Sequence, residues 1–458
     1  MKTESIHMFK NKNILVLGLA KSGLAVAKLL SRLGANVTVN EKKEREQCDG
    51  VEELENLGIK VVCGSHPETL LDQDLMMIVK NPGIPYDIPF LQLAEKKGIS
   101  IVTEVEIAYL ISEAPLIGIT GSNGKTTTTT LVYEMLRESE QEPIIAGNIG
   151  TVLSEVAEEA KPEQWIVAEL SSFQLLGTEK FKPQIAALLN IYEAHMDYHH
   201  TKEHYVFSKA KIFKNQTEQE VAVLNFDSEV IQNIVPSLKA QLAWFSTKSA
   251  VPRGSFLENE TIVYKNKEGQ SLEILLLSEL KLIGQHNVEN VLAAVTIAME
   301  AGAKLEKVRQ VLTSFEGVAH RLQFIRELHG VRYYNDSKAT NSAATKKSVE
   351  SFREPIVLIA GGLDRGDDFH ELEHLFKTKI KALLAYGENA PKMIDAAKRA
   401  GVNQIIRVDN VKEAVEKASQ QAQSGDVVLL SPASASWDQF KSFEERGDMF
   451  AQSVHKLR

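Results

Sequence analysis

Short apolar runs alternate with amphipathic stretches along almost all of this 458-residue chain, and that rhythm restricts the fold more than any other feature. A strand buried on both faces reads as a continuous apolar run, whereas the helix covering it repeats apolar residues every three to four positions. Repetition of the pair predicts parallel sheets wrapped by helices, an α/β fold. The first cycle runs from a strand at 14–18 through a helical pattern at 22–33 to a second strand at 36–39. Runs at 60–63, 75–79 and 101–103 complete one doubly wound unit. A second series opens at 116–120 and includes 165–168 and 185–189. At 260–264 and 271–276 the pattern changes to alternation, which predicts an antiparallel hairpin, before a long helical pattern at 285–301. A third series comprises 331–335, 356–360, 383–386 and 427–430. At roughly 150 residues per domain the length agrees with three domains. Their expected bounds are 1–103, 104–317 and 318–458, the last boundary falling in Phe315-Glu316-Gly317-Val318-Ala319-His320-Arg321.

Composition narrows the partners. Hydrophobic residues at 43% and charged residues at 25% exclude disorder as the dominant state. A net charge of −9 argues against a nucleic-acid partner, so an anionic substrate must be met by a few placed cations. Cys48 and Cys63 are too few for a disulfide framework or a four-thiolate zinc site. No run approaches the roughly 20 apolar residues that span a bilayer. The apolar stretch 14–20 is closed by Lys21 with no cleavage pattern after it, so a cytoplasmic protein without a membrane partner is expected.

Ile117-Gly118-Ile119-Thr120-Gly121-Ser122-Asn123-Gly124-Lys125-Thr126 reads as a strand, a glycine-rich turn and a helix start. Such a turn lets consecutive backbone N–H groups converge on a phosphate. Lys125 would reach the β- and γ-phosphates and the Thr126 hydroxyl would ligate Mg²⁺. The pattern G-x-x-x-x-G-K-[ST] is missed by one place, because Ile119 takes its first glycine and Gly118 lies one residue early. The plainer alternative, a surface lysine after a glycine turn, is disfavoured by the strand before it and the helix after it.

The wording Thr120-Gly121-Ser122-Asn123-Gly124-Lys125-Thr126-Thr127 resembles the ATP loop of the Mur ligases and of folylpolyglutamate synthases. Further matches follow in order. They are Gly147-Asn148-Ile149-Gly150, Glu169-Leu170-Ser171-Ser172-Phe173-Gln174, Glu193-Ala194-His195-Met196-Asp197 and Gly284-Gln285-His286-Asn287-Val288-Glu289-Asn290. His320-Arg321, Asn335-Asp336-Ser337-Lys338-Ala339-Thr340-Asn341 and Leu430-Ser431-Pro432-Ala433-Ser434-Ala435-Ser436 close the series. As an ordered set covering nearly the whole chain, they resemble the D-glutamate-adding Mur ligases.

That resemblance implies a Rossmann-like N-terminal domain for a UDP substrate, a central P-loop-type ATPase domain and a Rossmann-like C-terminal domain for the amino acid. The implied reaction adds D-glutamate to UDP-N-acetylmuramoyl-L-alanine through an acyl phosphate, with ATP as co-substrate, in cytoplasmic peptidoglycan precursor synthesis by a monomer. Implied catalytic residues are Lys125, His195 and Lys209. Implied ATP contacts are Gly121, Ser122, Asn123, Gly124, Lys125, Thr126 and Thr127, then Asn287, Asn290, Arg321, Asp336 and Lys338. Two Mg²⁺ ions are implied at Thr126, Glu169, His195 and a carbamylated Lys209. The UDP substrate falls to Gly18, Leu19, Ala20, Lys21, Asn40, Glu41, Asn81 and Gly83, with Asn148, Ser171 and Gln174 further along. D-glutamate falls to Thr340, Arg365, Ser436 and Phe443.

The residues themselves leave alternatives beside these roles. Glu169 ends an apolar run, where a carboxylate at a sheet's carboxyl edge meets Mg²⁺, though a capping or surface glutamate has the same appearance. Three histidines and two carboxylates at 193–200 suggest zinc by composition, but the oxygen-rich remainder of the site suits Mg²⁺ better. His199 and His200 read as solvated loop residues. Lys211 competes with Lys209, because this chain carries one extra residue before their helix; Lys209 is preferred for its spacing from Tyr205 and to Ile212. Asn287 and Asn290 sit three apart and can face one ligand, with N-capping as the alternative. For Arg321, Asp336 and Lys338 the competing reading is structural ion pairing.

Gly18-Leu19-Ala20-Lys21-Ser22-Gly23 has dinucleotide-fingerprint spacing, but Ala20 replaces the middle glycine that lets backbone approach a pyrophosphate. This, with the ATP loop, argues against a nicotinamide dehydrogenase. A folylpolyglutamate-type ligase is opposed by the separate N-terminal domain and by the 431–436 segment. The family frequently carries lysine at the position of Arg365, and a planar two-pronged donor is not equivalent to an ammonium. The Asp-Asn-Pro-Arg motif of the diamino-acid-adding relatives does not occur.

Overall fold

The apolar runs of the first hundred residues become five parallel strands: β1 (Asn13–Leu17), β2 (Asn36–Glu41), β3 (Lys60–Cys63), β4 (Leu75–Lys80) and β5 (Ser100–Val102). The structure is a computed structural model that describes residues 7–192, 194–282 and 285–458, so the motif members Glu193 and Gly284 lie outside the described residues. Strand order is β3-β2-β1-β4-β5. Chain direction across the sheet reverses between β1 and β4, and loops leaving the carboxyl ends of such a pair diverge to leave a crevice. Gly18 turns the chain out of β1 at φ +95°, where a Cβ would lie 2.8 Å from the Asn81 side chain. Only glycine closes that turn without strain.

The second sheet has nine strands: β6 (Leu116–Thr120), β7 (Ile144–Gly147), β8 (Ile166–Glu169), β9 (Ile185–Leu188), β10 (Val221–Asn225), β11 (Gln241–Ser246), β12 (Gly254–Glu258), β13 (Thr261–Lys265) and β14 (Ser271–Leu276). Their order is β14-β13-β12-β11-β10-β9-β6-β8-β7, parallel except for the expected antiparallel hairpin β13–β14 and its pairing to β12. β8 runs one residue further than the expected strand at 165–168 and takes in Glu169. With β6 lying between β8 and β9, the loops leaving all three meet at one edge.

These two sheets belong to one compact unit, which comprises the chain to Leu280 together with Val288–Thr313. Its core is continuous. The helix Lys21–Arg32 sends Val26, Ala27 and Leu30 into the same buried cluster as Val105 and Ala108 of Glu104–Ile111 and Leu153 and Ala157 of Leu153–Glu159. Each of the valines and leucines among them, fully buried, contributes about 1.5–3 kcal/mol.

The other unit comprises Lys281–Asn287 and Ser314–Arg458. It holds β15 (Gln323–Leu328), β16 (Val331–Asn335), β17 (Ile356–Gly361), β18 (Ile380–Tyr386), β19 (Gln404–Arg407) and β20 (Val427–Leu430), in the order β15-β16-β20-β17-β18-β19. Only β15 is antiparallel. Ile356, Leu358 and Ala360 face one core and Val357 and Ile359 the other, which explains why β17 reads as an uninterrupted apolar run. Among the described residues no helix is long and apolar enough to cross a membrane.

A candidate active site at the edge of the central sheet

The turn after β6 leads directly into the helix Lys125–Glu138. Gly124 adopts φ +80°, and a Cβ there would fall 2.0 Å from Oδ1 of Asn290. The glycine therefore serves both the turn and the close approach of the helix Gln285–Glu300, which carries Asn287 and Asn290 in its first two turns and not at its cap. Asn190, just past β9, clamps the loop: its Oδ1 accepts from the Asn123 amide (2.9 Å) and its Nδ2 donates to the Asn123 carbonyl (3.2 Å). Sequence reasoning missed Asn190; an asparagine ending an apolar run at the sheet edge was the signal available. Lys125 Nζ donates to the carbonyls of Gly121 (2.9 Å) and Ser122 (3.0 Å).

Glu169 is 1% exposed at the end of β8. Its Oε2 accepts from the Thr126 hydroxyl (2.7 Å) and its Oε1 from Asn148 Nδ2 (2.8 Å). Lys209, on the helix Lys202–Ala210, is also 1% exposed. Its Nζ donates to the Gly121 carbonyl (2.9 Å) and the Thr120 hydroxyl (3.4 Å) and lies 4.7 Å from the Tyr205 ring centroid. Burial pulls the Lys209 amine well below the usual lysine range, and the Lys125 charge pulls the same way against Glu169. Lys211 points elsewhere: its Nζ donates to the Leu176 carbonyl, and burial lowers it to about 8. The loop thus meets Lys209 and not its competitor.

His195 takes φ +59° at the start of the short helix Met196–His199, with its ring 4.9 Å from that of Phe173 in an edge contact. Burial, then the Lys209 charge, lower its pKa, which favours the neutral imidazole that ligates metals. The expectation that His199 is a solvated loop residue fails. One helical turn after His195 it is 1% exposed, with Nε2 2.9 Å from the Ser172 hydroxyl and Nδ1 3.2 Å from His204 Nδ1, stacked against Phe173. Burial and its histidine neighbours push it down to about 4. The loop reading overlooked the single helical turn that rotates residue 199 inward. His200, at φ +60°, does face solvent, 3.6 Å from Asp87.

Buried carboxylate, threonine hydroxyl and neutral imidazole form a donor set suited to Mg²⁺, which keeps few protein ligands and shares substrate phosphates. Among the described residues no three His, Cys, Asp or Glu side chains cluster tightly enough to hold a metal by themselves. Ser171 and Gln174 close a reciprocal capping box on the short helix Ser172–Leu176, with Gln174 Oε1 accepting from the Ser171 amide (2.9 Å).

Toward the N-terminus, Gly18, Ala20, Glu41, Asn81 and Gly83 line one cavity of about 580 Å³ at the β1/β4 switch point, together with His66 and Phe90. Glu41 fixes the loop above it by accepting from the Leu19 amide (2.7 Å). Lys21 reaches away to the Gly150 carbonyl (3.3 Å). Asn40 is fully buried and braces the wall, its Nδ2 donating to the Val62 and Ser65 carbonyls and its Oδ1 lying 2.6 Å from His66 Nδ1.

In the C-terminal unit the loops after β16, β17 and β20 carry the remaining residues. Asp336 is buried and accepts from Ser348 Oγ (2.5 Å), Ser431 Oγ (2.9 Å) and the Leu322 amide (3.2 Å); burial raises it to about 6. Lys338 Nζ lies 3.8 Å over the Phe443 ring, and the Thr340 amide donates to the Lys338 carbonyl. Arg365 is exposed and stacks 4.8 Å from the ring of Trp437, beside buried Ser436. Arg321 follows the buried His320, and its charge acts on Asp336. Sequence reasoning missed Arg446, which is fully buried and donates to Ser337 Oγ (2.9 Å), the Ser337 carbonyl (2.8 Å) and the Ser434 carbonyl (3.0 Å). Its spacing to Phe450 and Val454 on the helix Phe443–Lys456 marks the buried face and was the legible signal.

Three family models match in order: the Mur ligase MurD-like N-terminal domain at 12–103, the Mur ligase middle domain at 119–298 and the Mur ligase glutamate ligase domain at 320–434. The chain belongs to the Mur ligase family. Its relatives include the UDP-N-acetylmuramoylalanine–D-glutamate ligase of Geobacillus kaustophilus (strain HTA426), 52% identical over 451 residues that cover 98% of this chain and 99% of the relative. The enzyme of the same name from Bacillus cereus (strain ATCC 14579) is 52% identical over 457 residues, covering 100% of both. Among solved structures, the MurF ligase of Thermotoga maritima in complex with ADP shares the fold with a TM-score of 0.57, at 17% identity over 100% of each chain. The UDP-N-acetylmuramate–alanine ligase MurC of the same organism does so with a TM-score of 0.55, at 20% identity over 97% of this chain and 100% of that one.

Proposed function

We propose that this chain is an ATP-dependent ligase that joins D-glutamate to UDP-N-acetylmuramoyl-L-alanine, as a cytoplasmic monomer supplying peptidoglycan precursor. The observation that carries the reading is the meeting of Lys125, Thr126, Glu169 and Lys209 at one sheet edge, in a chain about half identical to ligases of that name. Three domains at 1–103, 104–317 and 318–458 divide the work. The uridine diphosphate end occupies the N-terminal cavity, with Asn148, Ser171 and Gln174 further along the substrate.

The free carboxylate of the L-alanyl group attacks the γ-phosphorus of ATP, and ADP leaves. Backbone N–H groups of the 121–124 turn cradle the phosphates, and Lys125 exchanges its two loop carbonyls for phosphate oxygens. Mg²⁺ at two positions, held by Thr126, Glu169, His195 and a carbamate on Lys209, would neutralise phosphate charge. The carbamate forms when the neutral Lys209 amine adds CO₂: a C–N bond is made and one proton is released to solvent. A neutral amine, kept deprotonated by burial and then by the Lys125 charge, thereby becomes an anion that Lys125 attracts.

The D-glutamate amine then attacks the acyl carbon, phosphate leaves, and a proton is lost to give the amide. Arg365, Thr340 and Ser436 hold the acceptor's carboxylates with Phe443 packing beside them, and Asn287, Asn290, Arg321, Asp336 and Lys338 contact the nucleotide. Inverting the α-carbon misplaces either the amine or a carboxylate, and an unpaired buried charge costs more than about 1–3 kcal/mol, so discrimination of roughly a hundredfold or more is expected. ADP release measured with UDP-N-acetylmuramoyl-L-alanine and D-glutamate, L-glutamate, D-alanine or L-lysine tests the reading. Turnover should require D-glutamate; comparable turnover with L-glutamate contradicts it.

A further inference from the structure

One buried charge has no part in this chemistry. Lys80 ends β4 and is 1% exposed, and among the described residues no carboxylate forms an ion pair with it. Its Nζ donates to the carbonyls of Ile84 (2.8 Å), Asn81 (3.2 Å) and Pro82 (3.2 Å) and to the hydroxyl of Tyr198 (3.3 Å). The ring of Tyr86 lies 4.5 Å away and that of Tyr198 6.0 Å away. Carbonyl oxygens and π faces stabilise an ammonium, whereas burial alone opposes it and lowers its pKa to about 7.

The members of this cage connect two parts of the molecule. Asn81, Pro82 and Ile84 form the turn after β4, which lines the N-terminal cavity through Asn81 and Gly83. Asn81 Oδ1 accepts from the Gly83 amide (3.0 Å), so the turn moves as one piece. Tyr198 lies three residues after His195; its hydroxyl is 3.2 Å from the Pro82 and Ile84 carbonyls, and its ring contacts Phe173, which also contacts His195. An apolar residue at 80 would take the charged donor from three inward carbonyls, leaving Pro82 and Ile84 only the Tyr198 hydroxyl to share and Asn81 only the Ile84 amide, and the turn would loosen.

We infer that Lys80 is a positioning residue for the UDP-linked substrate, holding the 81–84 turn in its cavity-lining shape and tying it through Tyr198 to the His195 segment. The inference rests on the reading that the N-terminal cavity takes the uridine diphosphate end.

Calorimetric titration of the full chain with UDP and, separately, with ATP–Mg²⁺ tests it, using wild type, Lys80→Met and Tyr198→Phe. Lys80→Met should weaken UDP binding by about tenfold or more, the scale of lost charge-assisted hydrogen bonds, and leave ATP binding within about twofold. Tyr198→Phe, which removes one hydroxyl and little packing, should weaken UDP binding by about threefold to fivefold. The KM for UDP-N-acetylmuramoyl-L-alanine should rise in parallel while that for ATP stays level, a split that general destabilisation would not produce. If wild type does not bind UDP, the cavity reading falls and this inference with it. If wild type binds and the variants bind equally well, or lose both ligands equally, only the role of Lys80 is overturned. Should Lys80→Met not fold, unchanged UDP affinity in Tyr198→Phe overturns it.

Discussion

The edge of the central sheet and the loops of the C-terminal sheet both lie at the carboxyl ends of parallel strands, yet they treat charge in opposite ways. At the central edge the proposed metal-binding groups are themselves buried: Glu169 and Lys209 are almost fully enclosed, and burial first, then the Lys125 charge, lowers the basicity of Lys209. In the C-terminal unit the proposed acceptor-binding cation, Arg365, is exposed and leans on Trp437, itself 64% exposed. Of the buried charges there, Asp336 is held by the Ser348 and Ser431 hydroxyls, and Arg446, satisfied by Ser337 and backbone, acts as a prop beneath the loops. Phosphoryl chemistry gains from desolvated, prearranged charge, which costs stability. Capture of a soluble amino acid needs only a few exposed groups on supported loops.

Breaking the central edge should have the largest effect. Lys125→Ala should lower ADP formation by about a thousandfold, as expected for a lost donor to transition-state charge, while UDP binding persists. Near-normal turnover would remove the phosphate-loop assignment.

Lys209→Met sharpens the contrast, because it should inactivate and stabilise together. The unfolded lysine keeps its proton up to about pH 10.4, whereas the folded one has a pKa well below that. Folding therefore releases a proton throughout the interval, and the cost of burying Lys209 grows as pH falls toward the folded pKa. In carbonate-free buffer the variant should melt above wild type, by a margin that widens as pH falls below about 10. In Lys209→Ala, short carboxylic acids should partly restore turnover, and Lys211→Ala should remain active. A variant that melts below wild type would contradict the burial argument, and inactivity of Lys211→Ala with normal Lys209→Ala would move the site.

The C-terminal effects should be smaller and confined to the acceptor. Arg365→Ala should raise the KM for D-glutamate by roughly tenfold to a hundredfold and change that for ATP by less than about twofold, consistent with loss of charge-assisted hydrogen bonds. Trp437→Ala should raise the same KM by only about twofold to fivefold, since an exposed cation–π contact is worth about 0.5–1 kcal/mol. Equal effects on both substrates would show that the loops do not specialise.

The sequence made legible what is local. Runs such as 356–360 announce strands because both faces are buried, and the phosphate loop is readable because strand, turn and helix start are contiguous. Glu169 was legible for the same reason, as a carboxylate ending an apolar run. Partners distant in sequence were not. Asn190 meets Asn123 from 67 residues away, and Arg446 reaches Ser337 from 109 away. His199 was misread because a single helical turn has too little periodicity to reveal its inward face. In the sequence only spacing separates Lys209 from Lys211; that Lys209 lies buried against the Gly121 carbonyl could not be read there.

Formation of an acyl phosphate, driven by the buried charges at the edge of the central sheet, is the step on which the proposed reaction depends. Turnover with UDP-N-acetylmuramoyl-L-alanine carrying oxygen-18 in its free carboxylate, followed by mass analysis of the released phosphate, tests this most directly. Transfer of one labelled oxygen into inorganic phosphate per amide formed is the predicted result. Phosphate free of label, with amide still formed, would contradict it.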